Sequence, residues 1–64
     1  MEEKDLRQIA SNYDDFLLEK DAKRRTMLFR QYLEALHTLS RKYSMDYASL
    51  QKKSEVYRKV EESA

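Results

Sequence analysis

The chain has 64 residues, of which 39% are charged, and its formal net charge is +1. It contains no cysteine, which excludes disulfides and cysteine-based zinc sites. Glycine and proline are also absent, and most residues are good helix formers. We therefore predict a single small all-α domain spanning 1–64. Because so short a chain buries only a modest core, we expect it to assemble with another chain as a helical bundle or short coiled coil.

The N-terminal segment MEEKDLRQ is acidic and polar, unlike a secretory signal or a transit peptide. Apolar runs such as FLL and MLF are far shorter than the roughly 20 residues that a membrane span needs. We expect no membrane span and a cytoplasmic or other reducing compartment.

A first helix is predicted at about 3–19, because apolar residues recur there at helical spacing. The pattern lapses over EKDAKRRT, residues 19–26. Asp21 suits the N-cap of a following helix, although the pairs Glu19–Lys23 and Asp21–Arg25 would also support a continuous helix. We favour a break at 20–22. The residues that form the first apolar pattern are Leu6, Ile9, Ala10, Tyr13, Phe16 and Leu17.

A second helix is predicted at about 22–43, where the apolar residues are densest. One apolar row repeats every seven residues, which is coiled-coil spacing. Its companion row is polar at Asp46 and Lys53, so a long free-standing coiled coil is poorly specified. The pattern favours short helices packed as a helical hairpin or a small three-helix unit. The row of seven comprises Phe29, Leu36, Tyr43, Leu50, Tyr57 and Ala64.

The segment RKYSMDYASLQKK, residues 41–53, resembles the end of one helix and the start of another. Two cations precede Ser44, which suits a helix N-cap, and Asp46 would lie in the new first turn. We favour a turn at 43–46 and a third helix at about 45–61.

The row of seven nevertheless passes through this segment without a phase slip. A continuous helix from 22 to 61 therefore stays open as an alternative, with a length of about 60 Å.

If the chain turns, LSRKYSMDYASLQKK (39–53) resembles the helix-turn-helix of small DNA-binding regulators. That resemblance implies a transcriptional regulator that uses 39–59, with Gln51, Lys52, Arg58 and Lys59 facing a DNA groove. Ser44 stands where such turns prefer glycine, and Lys53 stands where an apolar residue is expected.

The combination of LFRQYLEALHTLSRK and YASLQKKSEVYRKVEE is similar to the small helical-hairpin co-chaperones of type III secretion needle subunits. This resemblance rests on leucine spacing and on the YxxLQ at 47–51. It implies a chain that holds an aggregation-prone partner in a hetero-complex. The glycine-containing turn of that pattern is missing here.

Positive charge is most concentrated near the start of the second helix. We interpret this cluster as a solvated face or a partner for Asp14, Asp15 and Glu19, with nucleic acid or an anionic membrane surface as alternatives. The candidate contacts for an anion or nucleic acid are Lys20, Lys23, Arg24 and Arg25, together with Lys52 and Arg58; Arg30 also belongs to the cluster.

Catalytic features are sparse. His37 flanks the apolar stripe and is interpreted as a half-exposed packing residue, since no nucleophile or orienting acid is apparent from the pattern. A glycine-rich phosphate loop is excluded by composition. We expect no enzymatic activity, no metal and no cofactor.

The leading hypothesis is a non-enzymatic helical protein–protein interaction module, serving as an adaptor, co-chaperone or regulatory subunit. It would bind a partner protein or form a homo-oligomer, which we expect to be a dimer, through an apolar and tyrosine-rich stripe at 28–57, because tyrosine and other aromatic residues anchor interfaces. The predicted partner-binding residues are Phe29, Tyr32, Leu33, Leu36, Leu39, Tyr43, Tyr47, Leu50 and Tyr57.

Overall fold

A computed structural model describes residues 1–60 as three α-helices followed by a 3₁₀ turn. The elements are α1 (Glu3–Leu18), α2 (Ala22–Tyr43), α3 (Tyr47–Ser54) and the turn Glu55–Tyr57. No strand occurs within the described residues, so the all-α prediction is confirmed in the form of a three-helix unit. The longest dimension is 33 Å, about the length of α2 alone. The chain therefore turns after α2 and does not form the continuous 60 Å helix.

None of the helices within residues 1–60 has both the length and the apolar character that a transmembrane segment requires.

The connection between α1 and α2 is short and extended. Helix α1 ends at Leu18, and the backbone of Glu19 leaves the helical region. Asp21 occupies the N-cap of α2, where its carboxylate accepts a hydrogen bond of 3.1 Å from the backbone N–H of Arg24. This bond satisfies one of the free N–H groups at the helix start. The break between the two helices lies at residues 19–21, one residue before the predicted 20–22, and the predicted capping role of Asp21 is confirmed.

The elbow between α2 and α3, residues 44–46, is built without glycine. Ser44 adopts the left-handed conformation (φ 54°, ψ 46°), and Met45 N–H donates to the Ser40 carbonyl at 3.1 Å. The Ser40 hydroxyl donates to the Met45 carbonyl, so one residue of α2 holds both polar groups of Met45. Ser44 therefore ends α2, whereas we expected it to cap the next helix. The N-cap position of α3 belongs to Asp46.

The core lies between all three helices. Ile9 from α1, Leu36 from α2 and Leu50 from α3 are completely buried and contact one another in a single cluster. The Tyr32 ring is also buried, and its hydroxyl accepts a hydrogen bond of 3.0 Å from Gln51 Nε2. Burial raises the pKa of Tyr32, because the phenolate would lose its hydration. Each helix thus contributes one large, fully buried aliphatic side chain.

The third helix is shorter than the helix predicted at about 45–61. It ends at Ser54, and the backbone is extended at Arg58. The nearly buried carboxylate of Asp14 accepts hydrogen bonds from the backbone N–H groups of Lys59 (2.8 Å) and Val60 (3.4 Å). A buried carboxylate needs such donors, and within a helix these N–H groups would be occupied. The predicted end at residue 61 lies outside the described residues.

Candidate interaction surface

The predicted stripe divides between the interior and the surface. Part of it packs against α1 and α3, so those side chains already have partners within the same chain. The residues of the stripe that are buried in this way are Tyr32, Leu36, Leu39 and Leu50, and we call them the inner face.

Tyr43 and Tyr57 are half-buried against α1. The Tyr43 hydroxyl donates to the carboxylate of Asp5 and accepts from the backbone N–H of Glu2 at 3.3 Å. The bond from Tyr43, assisted by the nearby ammonium group of Lys42, lowers the pKa of Asp5. Tyr57 lies beneath the guanidinium of Arg7, 4.8 Å from the ring centroid. Both tyrosines therefore contribute to docking of α1.

The remaining large apolar side chains of the stripe are partly exposed. Phe29 and Leu33 are each 39% exposed, and Tyr47 is 40% exposed. Phe29, Leu33 and His37 follow one another at i, i+4 spacing, which places them on the same side of α2. We call Phe29, Leu33, His37 and Tyr47 the outer flank.

His37 joins the two helices that form the outer flank. Its Nδ1 lies 2.9 Å from the Tyr47 hydroxyl, within hydrogen-bond distance. The two rings meet edge to face, with centroids 6.4 Å apart. From the sequence we expected His37 to pack at half exposure, but its pairing with Tyr47 was missed. The ten-residue separation carries no signal unless the position of the elbow is known.

Two shallow grooves along the outer flank are edged by charge. One is lined by Leu33 and His37 together with Arg30 and Glu34. The other lies between α1 and α2, where the rings of Phe16 and Phe29 are 5.0 Å apart and the guanidinium of Arg25 stacks on Phe16 at 5.3 Å. The surface is therefore apolar along its centre, and its edge carries two cations, Arg25 and Arg30, and one carboxylate, Glu34.

The candidate anion contacts are not equivalent. Arg58 is only 18% exposed at its side chain, because it pairs with Asp14 at 3.4 Å and stacks on Tyr13 at 4.3 Å. Asp14, which we expected beside the basic cluster, faces the C-terminal segment instead. The contacts that remain exposed are Lys20, Lys23, Arg24, Arg25 and Lys52.

The residues implied by the helix-turn-helix resemblance are partly engaged inside the chain. Gln51 donates to Tyr32, and the backbone N–H of Lys59 is held by Asp14. Arg58 is also paired to Asp14, so the exposed cations of that set are the side chains of Lys52 and Lys59. DNA binding by 39–59 stays a prediction, and no contact in the described chain favours it.

Within residues 1–60, no group of three or more potential metal-ligating side chains is placed to hold an ion. No protein-family model, curated protein or solved structure matches this chain.

Proposed function

We propose that this chain is a non-enzymatic helical protein–protein interaction module, and that it binds its partner through the outer flank. An adaptor, a co-chaperone or a regulatory subunit would each use such a surface. The proposal replaces the full stripe at 28–57 with its exposed part. The observation that carries it is the row of Phe29, Leu33 and Tyr47, three large apolar side chains that are each about two-fifths exposed on one side of the molecule.

The buried core of the chain does not include these three side chains. The core already contains a fully buried residue from each helix. A contiguous row of exposed apolar side chains is a recurrent mark of a protein-binding surface. Aromatic residues and arginine, which both occur along this row, are the side chains that most often anchor interfaces.

The chemistry of the surface defines the kind of partner. An apolar centre along a helix suits the apolar face of a second amphipathic helix, with side chains at i and i+4 spacing. Arg25 and Arg30 border the two grooves and would face acidic residues on that helix. We therefore propose an amphipathic, acidic helix as the bound element.

The test compares two exposed apolar positions on different sides of α2. Leu33→Asp places a charge in the outer flank, whereas Met27→Asp places the same charge nine residues from Leu36, on the side facing away from the core. Met27 is 61% exposed, so both variants should keep the fold and the helical circular dichroism spectrum. Affinity capture from the native lysate should recover a protein with the wild type and Met27→Asp, and lose it with Leu33→Asp.

Two further outcomes bear on the same proposal. Binding of the captured protein to the purified chain should weaken at least tenfold for Leu33→Asp, because a buried unpaired carboxylate costs several kcal/mol. Equal recovery with all three baits would place the contact elsewhere and overturn the proposal. Loss with Met27→Asp alone would overturn it as well.

A further inference from the structure

The elbow at Ser44 holds a conformation that serine disfavours. Its φ of 54° is the only positive φ at a non-glycine residue within the described chain. For residues other than glycine, the left-handed conformation is disfavoured by roughly 5- to 30-fold, because the Cβ approaches the backbone carbonyl. The bonds that Ser40 makes to Met45 help to hold the elbow closed. The closed elbow is thus a local cost that the packing of α3 must offset.

The same residues are also compatible with a straight helix. The elbow contains neither glycine nor proline, and the row of seven continues from Tyr43 to Leu50 without a phase slip. Straightening at 44–46 would join α2 and α3 into one helix of about 50 Å, from 22 to 54, with that row on one side. An eight-residue helix is marginal alone, so continuation of α2 would favour its formation.

We propose that the elbow is an exchange hinge. When it straightens, α3 leaves its own core and takes the equivalent place in a second copy of this chain, which returns its α3 in the same way. The product is a two-fold symmetric dimer with exchanged third helices. A second copy is the expected partner, because it is the one molecule that reproduces each of the contacts that α3 makes within one chain.

Leu50 shows why only an identical chain fits. This side chain is fully buried in a cluster with Ile9 and Leu36. An extended α2–α3 helix would expose it, and the Ile9–Leu36 site of a second copy offers the identical cavity. The Asp14 carboxylate would likewise hold Lys59 and Val60 of the incoming chain, as it does within one chain here. The exchange therefore conserves the core and changes only the two elbows.

The equilibrium between the monomer and the exchanged dimer should shift in opposite directions when Ser44 is replaced by glycine or by alanine. Ser44→Gly relieves the left-handed conformation and disfavours the helix, so it should keep the chain monomeric. Ser44→Ala keeps the penalty in the closed elbow and favours the helix, so it should promote the dimer. Since each dimer has two hinges, and each hinge combines the left-handed penalty with the difference in helix propensity, the association constants of the two variants should differ by roughly a thousand-fold. Sedimentation equilibrium over a range of concentrations measures them.

A distance measurement identifies the exchanged state. Nitroxide labels on Gln31→Cys and Lys52→Cys occupy exposed positions of α2 and α3. With α3 folded back, as the Gln51–Tyr32 bond requires, the two labels lie close together. In the straight helix they are 21 residues and about 32 Å apart. Pulsed dipolar spectroscopy on the Ser44→Ala background, diluted with unlabelled chain, should give this long intrachain distance.

The inference fails on either of two results. Equal association constants for Ser44→Ala and Ser44→Gly would overturn it. The same holds if both variants stay monomeric up to millimolar concentration. A dimer whose intrachain labels stay at the short distance would overturn it as well. Neither result depends on the outer flank, because Leu33→Asp leaves the elbow unchanged and should not alter the exchange. The hinge and the proposed partner surface can therefore fail separately.

Discussion

Phe29 and Leu36 occupy equivalent positions in the row of seven, yet one is 39% exposed and the other is fully buried. The difference in exposure arises from which helices pack over the two side chains. Helix α3 has eight residues, and its Gln51 reaches α2 only at the level of Tyr32. Beyond that point Phe29 packs against Phe16 of α1, with the ring centroids 5.0 Å apart. Heptad spacing therefore selects a side of a helix, whereas the length of the neighbouring helix decides how much of that side is covered.

The largest difference is expected when one leucine is truncated on the inner face and another on the outer flank. Leu36→Ala should cost roughly 2–5 kcal/mol through lost burial and a cavity. A core of this size seldom supplies more than about 3–5 kcal/mol, so the variant should be largely unfolded at 25 °C. Leu33→Ala should change stability by less than about 1 kcal/mol, because Leu33 is 39% exposed and alanine favours the helix. Urea denaturation followed by circular dichroism compares the two variants. Equal losses would mean that the outer flank is also part of the core.

The Asp14 carboxylate and the backbone N–H groups of Lys59 and Val60 that donate to it form what we call the Asp14 clamp. Removing this clamp tests whether the C-terminal segment is part of the folded unit. Asp14→Ala removes the acceptor of the Lys59 and Val60 N–H groups, and we expect a loss of about 1–3 kcal/mol. The matched control is Asp15→Ala, because Asp15 is exposed on the same helix. Limited proteolysis after Lys59 should accelerate for Asp14→Ala alone. Identical cleavage of both variants would contradict the role of the clamp.

Removing one tyrosine hydroxyl from the inner face and one from the outer flank compares the stability of the two surfaces with a change of a single oxygen atom. Tyr32→Phe removes the buried acceptor of Gln51 and should cost about 0.5–1.5 kcal/mol. Tyr47→Phe removes an exposed bond to His37 and should change stability by less than about 0.5 kcal/mol. Thermal unfolding of both variants is the measurement. A larger loss for Tyr47→Phe would reverse the assignment of inside and outside.

The smallest effect concerns pH. Because the pKa of Asp5 is lowered in the folded chain, chiefly by the Tyr43 hydroxyl, its ionised form favours folding above the unfolded pKa of about 3.9. That contribution is lost as pH falls through the lower folded value. Tyr43→Phe should therefore reduce the melting temperature at pH 6, and the difference from the wild type should shrink below about pH 4.

Tyr57→Phe is the control for this pH effect, since its ring would still lie beneath Arg7. Melting temperatures measured from pH 6 to pH 2 should show the acid-dependent difference for Tyr43→Phe only. If the difference in melting temperature from the wild type shrank equally in both variants, the acid-dependent effect would not arise from the Asp5–Tyr43 bond.

The local features of this fold were predictable because neighbouring residues determine them. Asp21 caps α2 through the Arg24 N–H, three residues away. The absence of strands among residues 1–60 follows from a composition of strong helix formers. Long-range contacts could not be predicted in this way. Asp14 lies 44–46 residues before the atoms it binds, and its role as their acceptor follows from no spacing rule.

The sequence by itself determined that the chain is helical, that the first break falls before the Asp21 cap, and that one side of α2 is apolar. Helix propensity, capping and periodicity act over a few residues, so a sequence carries them directly. Only the tertiary structure decided that α3 ends at Ser54 and that Leu36 lies inside while Leu33 lies outside. Those outcomes depend on where the chain reverses at Ser44 and how far the returning helix reaches, because burial is shared among segments that are distant in sequence.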